Sequence, residues 1–83
     1  MAEIKELKDT VDLMLSDDYK ERFLAEIHQL KIRTEKLHRM VSNWDHLDFK
    51  PACPKAVYSQ QLYHMSNYLR VLIDRGEKEG IFV

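Results

Sequence analysis

Apolar residues fall along this chain at helical spacing almost from its start. Ile4, Leu7, Val11 and Met14 recur at intervals of 3, 4 and 3, one face of a short helix. The phase breaks at Ser16-Asp17-Asp18, where Ser16 or Asp18 can accept from unpaired amides, and Asp18 with Glu21 has capping-box spacing. This predicts a helix over 3–15 and a second beginning near 17, with one continuous bent helix as the alternative. Phe23, Ile27, Leu30, Thr34, Leu37, Val41 and Trp44 then step by 4 and 3 in strict alternation. That is a coiled-coil heptad with one polar position. Thr34 costs little there, because its hydroxyl can bond back to a carbonyl one turn earlier. A helix over about 17–44 spans roughly 40 Å at about 1.5 Å per residue.

The run from Asn43 to Cys53, NWDHLDFKPAC, interrupts the pattern and leads into Pro51 and Pro54. Residues 45–53 are predicted as loop, with Trp44, Leu47 and Phe49 folding back over the hairpin end. Pro54 suits the first turn of a third helix over about 54–79, since its missing N–H would be unpaired there. Tyr58, Leu62, Met65, Leu69 and Leu72 continue the seam. Gly76 predicts fraying, at about 1 kcal/mol in a helix interior. Gly80 can cap any continuation before the apolar Ile81-Phe82-Val83.

The expected fold is therefore all-α, one domain over 1–83: a short N-terminal helix and a long antiparallel hairpin. Two long helices expose one side of each seam, and the first helix is long enough for only half of it. A homo-oligomeric helical bundle follows as the expectation, with a monomeric three-helix core as the alternative. Eighty-three residues with 2 Gly and 2 Pro are too few turn-formers for a many-stranded fold. One cysteine excludes an internal disulfide and suits a reducing compartment. No apolar run approaches a membrane span, and the charged start MAEIKELKDTVD is unlike a signal peptide. These features point to the cytoplasm.

Catalytic and metal chemistry find little support. Glu35 and His38 have the Glu-x-x-His spacing of two-metal bundles, but no second such motif exists and Glu35 lies off the seam. Asp45, His46 and Asp48 sit in a loop and read as turn-capping residues. Cys53 precedes a helix N-terminus, which can lower a thiol pKa, yet no histidine is tied to it. Neither a nucleophile elbow nor a Gly-rich phosphate loop occurs. The expectation is a non-enzymatic protein without cofactor or metal.

Charge changes that picture more than its total of −1 suggests. Residues 1–18 hold two lysines against six acids, and residues 19–41 hold six Lys/Arg against three Glu. Duplex nucleic acid is not expected of so neutral a chain. Arg22, Gln29, Arg33 and Lys36 line one edge of the second helix's seam; Lys20, Lys31 and His38 line the other. Either the acids of the first helix pair with these bases, or the charges make ordinary flanking salt bridges worth little each, or the basic edges hold an anion at a subunit boundary, where arginine's fork fits phosphate. On the third helix, Tyr58 lies on the seam and Tyr68 at its edge. Tyr63 is on the opposite face near Ser59, Ser66, Asn67 and Arg70, a patch able to stack a base or a partner side chain. Val57, His64, Val71 and Arg75 widen the apolar character towards a second packing partner. The candidate ligand residues are thus Arg22, Arg33, Lys36 and Arg70 for phosphate, and Tyr63 or Tyr68 for stacking.

The stretch DDYKERFLAEIHQLKIRTEKLHRMV, followed by QQLYHMSNYLRVLIDRG, resembles a family of small proteins from phages of Firmicutes and crAss-like gut phages. Its specific part is Gln61-Leu62, Met65, Tyr68-Leu69, Leu72 and Arg75, and the likeness spans roughly 17–76. The resemblance implies a counter-defence role in the host cytoplasm. One form is an oligomer that sequesters a cyclic-nucleotide immune signal. Another is an anti-CRISPR-like inhibitor or regulator that binds a host or phage enzyme directly.

Overall fold

The computed structural model describes residues 3–81, and these are all helix, turn and loop. A 3-10 turn, Leu7–Thr10, runs into one α turn, α1 (Val11–Met14); α2 (Tyr19–Ser42) and α3 (Lys55–Glu79) follow, with a 3-10 turn at Trp44–His46 between them. The two long helices pack on each other, and α1 with its preceding turn packs on α2. The molecule is a rod of 42 × 24 × 17 Å with a radius of gyration of 14.8 Å. A globule of this length would have about 12 Å, so the hairpin sets the shape.

The N-terminal segment departs from the predicted helix over 3–15. Glu6 is extended, and the Asp9 carboxylate accepts from the amides of Lys5 and Glu6, both at 3.0 Å. Helix therefore cannot begin before Leu7. The 3-10 geometry, with three residues per turn, also rotates the buried face. Leu7, Thr10 and Leu13 turn inward, and Thr10 is wholly buried, while Val11 and Met14 of the expected seam are exposed.

At the start of α2, Asp18 accepts from the Lys20 amide at 2.9 Å. Glu21 does not close the box on Asp18; it accepts from the Ser16 hydroxyl instead, at 2.9 Å, and Ser16 Oγ accepts from the Asp18 amide. The Thr34 hydroxyl donates to the Leu30 carbonyl at 2.6 Å, one turn back as its seam position predicts. Pro54 stands at the cap of α3, just outside its first turn.

The heptad of α2 is buried unevenly. Phe23, Ile27 and Leu30 join Leu72 of α3 and the returning Ile81 in a core, with Leu24, Met65 and Leu69 packed against it. Beyond Leu30 no apolar side chain of the described residues is fully buried except Leu72 and Ile81. Leu37, Val41, Trp44, Tyr58 and Leu62 are only half-covered. Trp44 and Tyr58 meet with ring centroids 5.8 Å apart, whereas Phe49, expected to close the hairpin end, stays 54% exposed.

Gly76 corrects the prediction of fraying. Helix α3 continues through it to Glu79, and Gly76 is buried. A Cβ there would lie 3.1 Å from the Ile81 carbonyl oxygen and 3.3 Å from the Phe23 ring. The missing side chain is what lets the chain return. Gly80, at φ 71°, ends the helix in the left-handed conformation, and the Ile81 amide donates to the Gly76 carbonyl at 2.8 Å. This is a Schellman closure, and it drops Ile81 onto the core. Phe82 and Val83 lie outside the described residues.

Candidate functional site

The edge of α2 that carries Arg33 and Lys36 becomes one side of a groove of about 360 Å³. Leu37 and Met40 of α2 and Gln61 and Met65 of α3 make its floor, and Leu7 of the N-terminal segment supplies one wall. Spacing of three puts Arg33 and Lys36 on the same edge one turn apart. The lining holds two cations, one amide and no carboxylate. Among the described residues, neither Arg33 nor Lys36 is in an ion pair.

This arrangement removes one reading of the segregated charge. The acids of the N-terminal segment do not pair with the bases of α2. Glu3 meets Lys5 at 3.7 Å and Glu6 meets Lys8 at 3.2 Å, both within the segment. Asp9 is held by its two backbone amides, which lower its pKa below the usual carboxylate range. The segment is seated by neutral contacts instead. Gln29 donates to the Thr10 hydroxyl at 2.9 Å and reaches Met14 Sδ at 3.6 Å, while Thr10 donates to the Leu7 carbonyl at 2.7 Å.

The other candidates are dispersed. Arg22 donates to the Ser16 carbonyl at 2.8 Å and so ties the turn before α2. Tyr68 donates to Glu26, whose carboxylate raises the phenol pKa. Arg75 lies 4.0 Å from Glu26, pairs with Glu79, and stands 4.8 Å over the Phe23 ring. Tyr68 thus belongs to a polar cover on the core. Tyr63, 65% exposed and edge-on to His64, shares with Arg70 the face of α3 opposite the hairpin. One chain therefore does not bring Tyr63 or Arg70 to the Arg33–Lys36 groove.

Sequence spacing missed Leu7, Leu37 and Met65 as groove residues because seam positions read as core, and Met40 and Gln61 because they lie beside the seams. The one signal was length: a first helix too short to cover the seam must leave part of it open. On the opposite side of the hairpin, Ile27, Lys31, Leu69, Ile73, Gly76, Glu77 and Ile81 line a smaller groove of about 230 Å³. It mixes Lys31 with Glu77. Next to it, Glu35 and His38 share a shallow hollow with Thr34, Arg39, Leu62 and Ser66. No three His, Cys, Asp or Glu side chains of the described residues gather as metal ligands. None of the described helices is long and apolar enough to cross a membrane.

The hairpin that carries this groove is also where the chain matches a known family. The Sequestin family model covers residues 17–78, from the cap of α2 to the last turn of α3. The chain belongs to the Sequestin family. Arg33, Lys36 and the groove floor lie within the Sequestin match; Leu7 and Ile81 lie outside it. No curated protein and no solved structure matches the chain. The family's name speaks of sequestration, a binding role.

Proposed function

We propose that this Sequestin-family chain sequesters a nucleotide immune signal as a non-enzymatic phage counter-defence protein. The observation that carries the reading is the Arg33–Lys36 pair, cations without an ion-pair partner above a mostly apolar floor in a groove without a carboxylate. Such a rim favours phosphate, with arginine's fork as the directional partner. An apolar floor of leucine and methionine receives the flat face of a base. The family's name supports the sequestering part of this reading, and the resemblance of residues 17–76 to phage proteins supports the counter-defence part.

Self-association belongs to this proposal. The half-covered seam from Leu37 to Leu62 would gain cover from a second copy. Light scattering tests this separately, and a particle of one chain's mass, 9.9 kDa, at tens of micromolar speaks against it.

Thermal melts with a panel of cyclic di- and trinucleotides test the ligand. A ligand at about a hundredfold its Kd adds about 2.7 kcal/mol, which for a chain of this size raises Tm by roughly ten degrees or more. Arg33→Ala with Lys36→Ala should abolish the shift. A flat panel with the wild-type chain overturns the reading. A second reading, an inhibitor or regulator that binds a host or phage enzyme, rests on the outer strip of α3, where Tyr63 and Val71 are 65% and 63% exposed. A flat panel with one stoichiometric co-purifying enzyme would favour it.

A further inference from the structure

We infer that Leu7 is a ligand-selecting wall of the Arg33–Lys36 groove, added by the N-terminal segment to an anion-binding hairpin. The inference rests on the groove reading above and assigns a separate task to a residue outside the family match.

Three features converge on Leu7. First, it is the groove residue contributed by neither long helix, and the family match begins ten positions after it. Cations and floor thus belong to the matched hairpin, and the wall does not. Second, its position is fixed from below. Its carbonyl accepts from Thr10, which is completely buried and receives Gln29, so the 3-10 turn holds Leu7 one turn away from a rigid anchor. Third, the segment lines the basic groove with an apolar side chain and with none of its carboxylates. Of its acids, Glu3 and Glu6 meet its own lysines and Asp9 accepts from two of its backbone amides. A segment with a net charge of −4 over residues 1–18 would otherwise compete with an anionic ligand for Arg33 and Lys36.

A wall of this kind acts on the apolar part of a ligand and leaves its phosphates alone. Shortening Leu7 removes contact from a base; enlarging it narrows the space a base can enter. Neither change touches the guanidinium or ammonium that holds the anion.

Isothermal titration with pyrophosphate, cyclic di-adenosine monophosphate and cyclic tri-adenosine monophosphate separates these roles. Leu7→Ala should weaken the cyclic nucleotides about tenfold and leave pyrophosphate unchanged. Leu7→Phe should alter the ratio between the two cyclic nucleotides, again without effect on pyrophosphate. Arg33→Ala should weaken all three. If Arg33→Ala weakens binding but both Leu7 variants match wild type, the groove stands and the wall falls. If the Leu7 variants lose pyrophosphate and nucleotides alike, Leu7 acts through the fold, and selection is overturned. Wild-type protein that binds none of the three overturns the wall together with the groove.

Discussion

The two halves of the hairpin carry the same heptad and have different fates. Near the start of α2, Phe23, Ile27 and Leu30 are sealed by Leu72, the Gly76 contact and the returning Ile81. Past Leu30 the same spacing continues through Leu37 and Val41, yet nothing within the described chain completes the cover. A heptad states which side chains need burial. A third layer decides which of them receive it, and the half left open is where the basic groove forms.

The largest effect should separate these halves directly. Ile27→Ala, at 1% exposure, should cost about 3–4 kcal/mol through lost transfer energy and a cavity. Leu62→Ala, half-covered, should cost about half as much. Chemical denaturation with an unchanged m-value checks both, and equal losses would erase the contrast.

Gly76→Ala sharpens the comparison at the sealed end. Helix propensity alone forecasts a gain of about 1 kcal/mol. The 3.1 Å and 3.3 Å approaches of the Ile81 carbonyl and Phe23 ring should consume that gain and leave the variant no more stable than wild type. A rise in Tm by the full propensity increment would mean that the return of Ile81 is loose.

Thr10→Val, a near-isosteric change, removes the hydroxyl between Gln29 and the Leu7 carbonyl. The expected loss is about 1–2 kcal/mol, because Gln29 keeps its amide and loses its partner. Hydrogen exchange should quicken in residues 7–14 and stay slow in α2. Uniform quickening would show that the segment and hairpin open as one unit.

The smallest effect is a pH dependence at His28. Burial, with Lys31 as the lesser cause, depresses its pKa. The neutral form is therefore favoured on folding, and stability should be fullest above the unfolded histidine pKa of about 6.5 and decline as pH falls below it. Ile4, Lys5, Lys31, Ile32 and Glu35 surround the same hollow. His28→Gln should flatten that part of the stability profile; an unchanged slope would place its origin elsewhere.

Much of this was legible in the residues themselves. The seam from Phe23 to Trp44, the cap at Asp18 and the bond of Thr34 to Leu30 follow from spacing and local chemistry. The shortage of cover was legible too, from the length of the first segment. What escaped was tertiary. Gly76 reads locally as a weak point, and only the approach of Phe23 and Ile81 gives it a purpose. The acidic segment and basic helix read as partners, but Asp9 satisfies backbone amides and Thr10 carries the contact. Arg33 and Tyr63 were both plausible ligand residues on their own helices, and helix pairing placed them on different sides of the molecule.

The fold of Ile81 onto Phe23 also orders events during synthesis. These residues stand 58 positions apart, so when α2 leaves the ribosome its first core residues have no partners yet made. An amphipathic helix waits in the open until α3 and the turn at Gly80 arrive. The sealed end is therefore completed late, as a long-range closure rather than a local one. A nascent chain in that state leaves the α2 seam accessible to chaperones until its own C-terminal turn has formed.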